Sequence, residues 1–255
     1  MIVRISDHNV VSYSMLTLGA LALLFSAYTS SYVLAFIGLG LAFWGALFLY
    51  LKPSKYVRLE LLTSSSSSSL INIERMLTNA GSDLKGIYLP PKRLEDYTSS
   101  LIFIPKTANQ PLPTTASTNT TVTESQNPLG LFITPPGLAL SKLFEKHLGR
   151  SFAEIKLEDL HTLLPKLFEE LEITKNITID IENDTVTVQM QNHIFEEVCD
   201  ETRKLERTYE TVGCPLASAL ACVLAKTTGK PITIEDDNLT SDKTTVVKYK
   251  IMEDT

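Results

Sequence analysis

The side chains best able to do chemistry in this sequence are three cysteines, Cys199, Cys214 and Cys222, and four histidines, His8, His147, His161 and His193. Cys214 has the most reactive setting. It stands in the run GCPLASALACVLA, residues 213–225, where Pro215 suits the first helical position and Gly229 the stop. At such an N-cap the free amides of Leu216 and Ala217, together with the helix dipole, favour a thiolate. Cys214 is therefore the candidate catalytic residue of a thiol-dependent enzyme or redox sensor. Against that role, neither histidine nor lysine adjoins it, and free cysteines are among the most often buried residues. Cys222 lies about 12 Å further along the same helix, too far to bridge Cys214. Cys199 falls on the apolar face of the preceding helix and reads as a core residue. An odd count without framework spacing suits a reducing compartment, or at most one bridge.

Metal and phosphate chemistry find less support. The histidines are scattered, with no H-E-x-x-H and no paired C-x-x-C. His193 and Glu196, three apart on one helix, are the nearest to a ligand pair, and such pairs are commonly solvated. Thr227-Thr228-Gly229-Lys230 lacks the upstream glycine of a phosphate loop, and Pro231 stands where that loop needs a hydroxyl. These absences identify no metal site and no cofactor.

The elements that must position Cys214 follow from periodicity. Residues 214–225 are apolar on nearly every face yet too short to cross a bilayer, which takes about 20 residues. They predict the central helix of a soluble core, with Ala217, Ala221 and Ala225 as a ridge for close approach. Helices are expected over 138–148, over 157–171 with a bend or break at Pro165, and over 193–210. Ser151 and Glu154 have capping-box spacing. Short strands are expected in GIYLPP, SSLIFIPK and GLFITPPG, a hairpin in ITIDIENDTVTVQMQ turning at Asn183-Asp184, and a last pair in PITIED and TTVVKYKIM. Strands and helices do not alternate strictly, so the soluble part, residues 70–255, is assigned to the α+β class. Residues 106–128, rich in Pro, Thr, Ser and Asn, predict a disordered loop.

Upstream the composition changes sharply. After a tail of residues 1–9, residues 10–51 are almost uncharged and predict a transmembrane hairpin, Val10 to Tyr28 and Tyr32 to Leu51, turning at Thr29–Ser31. Arg4 before it and Lys52, Lys55 and Arg58 after it put both termini and the soluble domain on the cytoplasmic side of the cell membrane. Four N-x-[ST] triplets, at Asn119, Asn176, Asn183 and Asn238, pull the other way but arise readily in a threonine-rich chain. Gly38, Ala42 and Ala46 leave a small-residue groove, for the first span or for a homodimer. Residues 52–69 read as a linker whose serines, Ser64 to Ser69, form a flexible joint. The net charge of −6 argues against a nucleic-acid partner.

Two resemblances add to this. In its N-terminal hairpin, GIYLPP, ITPPG and GCPLASALA, the chain resembles an uncharacterised archaeal family of membrane-anchored proteins, which implies a plan but no activity. Its last forty or so residues, a small-residue helix followed by PITIE and TTVVKYKI, are similar to the end of the 4-vinyl reductase domain, a small-molecule-binding α+β module. The closing-strand cysteines common in that family are missing here. The first functional reading is thus a non-enzymatic binding or sensor module that recognises a small apolar ligand or a protein partner. It predicts a closed apolar pocket between helix 215–228 and the sheet. The second is the Cys214 thiol enzyme or redox sensor, and the third an accessory subunit of a membrane complex.

Overall fold

The computed structural model describes residues 5–50, 59–81, 84–94, 99–107, 111–113, 122–126, 129–240 and 242–253. The chain divides into two compact units, Met1–Val57 and Arg58–Thr255.

The first unit is a pair of helices, α1 (Ile5–Thr29) and α2 (Tyr32–Tyr50), turning at Ser30, whose φ is 52°. Small residues make their seam. A Cβ on Gly19 would meet the Ala42 nitrogen at 2.7 Å, and one on Gly45 the Leu16 nitrogen at 2.9 Å. Gly38 is buried against Gly19 and Leu23, so Gly38 and Ala42 of the predicted groove face α1, whereas Ala46 is exposed. Large apolar side chains, among them Leu24, Phe36 and Phe43, cover the outside. The window Ser12–Thr29 is long and apolar enough to cross a membrane, and Tyr32–Phe48 is a shorter apolar run. Residues 206–228 pass the same test of length and composition, but they are mostly buried and belong to a soluble core.

The second unit is built on one antiparallel sheet of eight strands, in the order β3-β4-β2-β1-β7-β8-β6-β5. The strands are β1 (Ile87–Leu89), β2 (Leu101–Pro105), β3 (Val122–Gln126), β4 (Leu129–Ile133), β5 (Asn176–Glu182), β6 (Thr185–Gln191), β7 (Ile232–Leu239) and β8 (Thr244–Ile251). Period-two alternation decides its faces. Tyr88, Ile102, Val188, Ile232, Val247 and Tyr249 point into the main core under the helices. Leu89, Phe103 and Phe132 point the other way into a smaller core closed by Leu94 and Leu112. The α+β class is as expected, and so is the hairpin over 176–191, which turns at Asn183 with φ 52°.

The helices of this unit are α3 (Leu59–Ala80), α4 (Leu138–Leu148), α5 (Leu160–Glu170), α6 (Glu196–Arg203), α7 (Glu206–Val212) and α8 (Pro215–Thr228). α8 runs through the middle of the core. Every residue from Leu216 to Ala225 is at most 2 % exposed. Pro165 neither ends nor divides α5, whose Leu160, Leu164, Leu167 and Phe168 are all buried. Ser151 caps a 3-10 turn, Phe152–Glu154, by accepting from the Ala153 N–H. Its hydroxyl donates to Glu145, whose carboxylate also takes the Phe152 N–H.

Two expectations are corrected. Ser64 to Ser69 lie inside α3, where a flexible joint was expected. Serine is only a moderate helix former, but Leu70 and Leu77, buried at 2 % and 0 %, anchor the helix, and helix propagates readily from a formed turn. The stretch 106–128 contains β3, which pairs with β4 from Val122↔Ile133 to Gln126↔Leu129. Its residues 108–110, 114–121 and 127–128 lie outside the described residues.

Candidate functional site

The N-terminus of α8 forms as its punctuation predicts. Cys214 is the N-cap, its sulfur accepts from the Ala217 N–H at 3.5 Å, and Gly229 closes the helix in the left-handed region. The sulfur is not free. Cys214 is disulfide-bonded to Cys199 of α6, with the two Cα atoms 5.0 Å apart and the residues 2 % and 1 % exposed. In this bonded state Cys214 offers no thiolate for nucleophilic attack, because the nucleophile is the free anion. Cys222 is the free cysteine among the described residues, and burial pushes its thiol far above the ordinary range.

A closed apolar pocket was expected beside α8, and the space there is small. The space next to Cys222 and Val223 is about 20 Å³, room for a single water. Close backbone approach accounts for the tight packing at the start of α8, and it comes from the missing side chain of Gly137. A Cβ on Gly137, at the start of α4, would lie 2.1 Å from the Ala219 nitrogen and 2.4 Å from the Pro215 oxygen.

An open apolar cleft of about 450 Å³ lies instead where α8 begins. One wall is α3, through Leu70, Ile73 and Met76; the other is Ile133, Pro135, Pro136 and Pro215. Ser69, Asn72 and Thr134 supply the polar atoms. The size and the sparse polar groups match small-molecule sites in general. Two larger hollows, of about 640 and 650 Å³, are lined by mixed charges, Lys85, Glu235 and Lys248 in one and Lys156, Glu158 and Lys230 in the other. The α3 wall is held from behind. Leu205, the N-cap of α7, makes no side-chain cap, and Glu74 of α3 replaces it. Its carboxylate accepts the Thr208 N–H and hydroxyl, both at 2.7 Å, and the Arg207 N–H at 3.3 Å.

A third constellation lies where α6 and α7 meet β7. The Arg203 guanidinium donates to Asp200 at 2.5 Å and to the Tyr209 hydroxyl at 3.2 Å, and sits 3.8 Å from the Asp237 carboxylate. Tyr209 in turn donates to the main-chain oxygen of Asp237. Both Asp237 carboxylate oxygens are buried without a hydrogen-bond partner. Burial raises the Asp237 carboxyl above its usual range, against the pull of the Tyr209 hydroxyl and Arg203. Burial also pushes the Tyr209 hydroxyl up to about 12. His193 is buried beside Thr245, its Nε2 at 3.2 Å from the Thr245 hydroxyl, and burial lowers its pKa. Its sequence partner Glu196 pairs with Lys243 at 3.8 Å, and no group of three metal-binding side chains gathers among the described residues.

Of the residues singled out in the sequence, then, Cys199 and Cys214 are bonded, whereas His193, which precedes α6, and Glu196, which opens it, do not share one helix as expected. Asn176, Asn183 and Asn238 are exposed, and Asn119 lies outside the described residues. Glu74, Arg203 and Asp237 carried no sequence signal, and Asp237 lies in the polar second half of β7, after Glu235 and Asp236.

The domain of unknown function DUF7982 matches residues 3–251, hairpin and body together. The chain belongs to this family. No curated protein and no solved structure matches it. The DUF7982 match therefore joins the two units in one family unit without supplying a reaction, and the cleft and the disulfide must be read on their own chemistry.

Proposed function

We propose that the protein is a membrane-anchored, non-enzymatic binding or sensor module that takes a small apolar ligand in the cleft between α3 and the Ile133–Pro136 segment. The hairpin is its two-pass anchor in the cell membrane. Arg4, Lys52, Lys55 and Arg58 support placing both termini and the body on the cytoplasmic side. The observation that carries the reading is the lining of the cleft. Three prolines and three aliphatic side chains contribute shape and apolar area with little conformational freedom to lose on binding.

Photolabelling tests it. The full chain in lipid nanodiscs is irradiated with a small apolar diazirine, and the adducts are mapped by peptide mass spectrometry. Adducts are expected on the segments holding Ile73, Met76 and Pro135–Pro136, as well as on the lipid-facing hairpin. Met76→Glu removes those in the body and leaves those in the hairpin. Labelling confined to the hairpin in the parent protein would end the small-ligand reading.

A further inference from the structure

We infer that the Cys199–Cys214 disulfide is a redox latch on the α3 cleft, opened by a dithiol reductant of the cytosol. The inference rests on the cleft being the binding site and on the cytoplasmic placement of the body. Disulfides on the reducing side of a membrane are mostly transient and regulatory, so one that bridges a functional wall asks for that role.

The geometry links the bond to the cleft from both sides. Cys214 immediately precedes Pro215, which lines the cleft. Cys199 sits on α6, and α3 packs against both α6 and α7. Glu74, between the lining residues Ile73 and Met76, fastens α3 to the first turn of α7. The two walls are thus joined through α6 and α7, and the disulfide fixes that pair of helices to the start of α8. Apart from the disulfide, α6 is held by its packing on α3 and, at its C-terminal end, by Arg203, which reaches Tyr209 and Asp237. Of its eight residues only Val198, Cys199 and Thr202 are buried, and its outer face carries Glu196, Glu197, Asp200 and Glu201. Gly213, with φ 69°, is the single residue between α7 and Cys214, which makes it the natural pivot.

The reaction is a two-electron exchange. A reductant thiolate attacks one sulfur of the bond and forms a mixed disulfide, and the other cysteine leaves and takes a proton. The reductant's second thiol then closes its own disulfide and releases the first cysteine, which is protonated in turn. Cys222 does not compete as an internal partner, because it lies two turns along α8 with its thiol held protonated by burial. Both bonded sulfurs are buried, so attack waits for a local opening that exposes one of them, and the latch opens slowly. Once the bond is cut, α6 and α7 are expected to move about Gly213 and to draw α3 with them, spoiling the cleft.

The test compares oxidised and dithiothreitol-reduced full-length protein in nanodiscs, with alkylation after unfolding confirming one free thiol against three. Two readouts are taken. Reduction should speed amide exchange in α6 and α3 by about tenfold, the signature of a local opening. It should also cut diazirine labelling of the cleft segments by at least about threefold, as the competent population falls. Cys199→Ser/Cys214→Ser should behave like the reduced protein under all conditions, and Cys222→Ser should keep the full response. Equal exchange in the two states overturns the latch. Faster exchange with unchanged cleft labelling overturns its control of binding. Absence of cleft labelling even in the oxidised protein condemns the binding-site reading instead, whatever the exchange shows.

Discussion

The carboxylate of Glu74 accepts both the N–H and the hydroxyl of Thr208, each at 2.7 Å, and so caps a helix from 134 residues away in sequence. A charged acceptor serving a helix start satisfies amides that would otherwise be orphaned, and favours the positive end of the dipole. Glu74→Ala should therefore destabilise the body by about 2 kcal/mol, because it leaves partly buried donors unpaired. Glu74→Gln keeps an acceptor oxygen and should lose about half as much. Chemical denaturation of the full chain, followed by circular dichroism, reads the difference. Equal stability of the alanine variant and the parent would show that α7 holds its start without α3.

The approach of α4 to α8 sets a second expectation. The Gly137 N–H donates to the Ser218 hydroxyl at 3.1 Å, and its missing side chain admits the backbone of Pro215 and Ala219. Gly137→Ala forces backbone against backbone, which no rotamer change relieves, and should cost about 3 kcal/mol. Gly149→Ala is the control. It has open space but a left-handed φ of 68°, so its cost should be nearer 1 kcal/mol. A Gly137→Ala protein as stable as the parent would mean that the α4–α8 contact is loose.

These two residues also mark the limit of what could be read in the sequence. α8 was legible because its signals are local: Cys214 and Pro215 open it, Gly229 closes it, and its apolar composition demands burial. The hairpin over 176–191 was legible for the same reason, through strict alternation around Asn183. β3 was not, because VTESQ lacks apolar alternation and gains its place by pairing with β4 at the edge of the sheet. The start of α3 was hidden in serines that carry no periodic signal. The cleft and the disulfide depend on which helices become neighbours, and nothing local in residues 199, 214, 74 or 135 states that. The close approach on α8 lies at Pro215 and Ala219, against Gly137, and not along the alanine ridge, because Gly137 of α4 has no side chain to hold the backbones apart.

Two carboxylates, one half-buried and one largely buried, should give opposite responses to mutation. At Glu145 burial acts upward, but Lys226, the Phe152 N–H and the Ser151 hydroxyl outweigh it and hold the carboxyl below its usual value. A lowered folded pKa stabilises above the unfolded pKa, and that contribution is lost as pH falls through the folded value. Asp237 is the reverse: burial raises its carboxyl, so its charge opposes folding near neutrality and that penalty lifts as pH falls. Glu145→Gln should lower the thermal midpoint at neutral pH and Asp237→Asn should raise it. The Asp237 difference should shrink as the pH is brought down to about 4, and the Glu145 difference only below that, where its lowered carboxyl takes up a proton. Thermal melts across that range decide the matter, and a destabilised Asp237→Asn protein would show that its pairing with Arg203 outweighs burial.

The hairpin offers the sharpest contrast between neighbouring positions. Gly19 lies in the seam, where an added Cβ would press on the Ala42 nitrogen at 2.7 Å and the Gly38 oxygen at 3.0 Å. Gly40 has nothing within 4 Å and faces outward. In the membrane anchor proposed above, apolar attraction would contribute little between helices that lipid surrounds, so close packing of small residues must supply the association. Gly19→Leu should therefore splay α1 from α2 and shorten the survival of monodisperse protein on heating in detergent. Gly40→Leu adds apolar surface on the outward face, which the proposed anchor turns to lipid, and should leave survival unchanged. If Gly40→Leu proves the more damaging of the two, the outward face of α2 is itself covered by protein, and the small-residue contact that matters is one between copies of the chain.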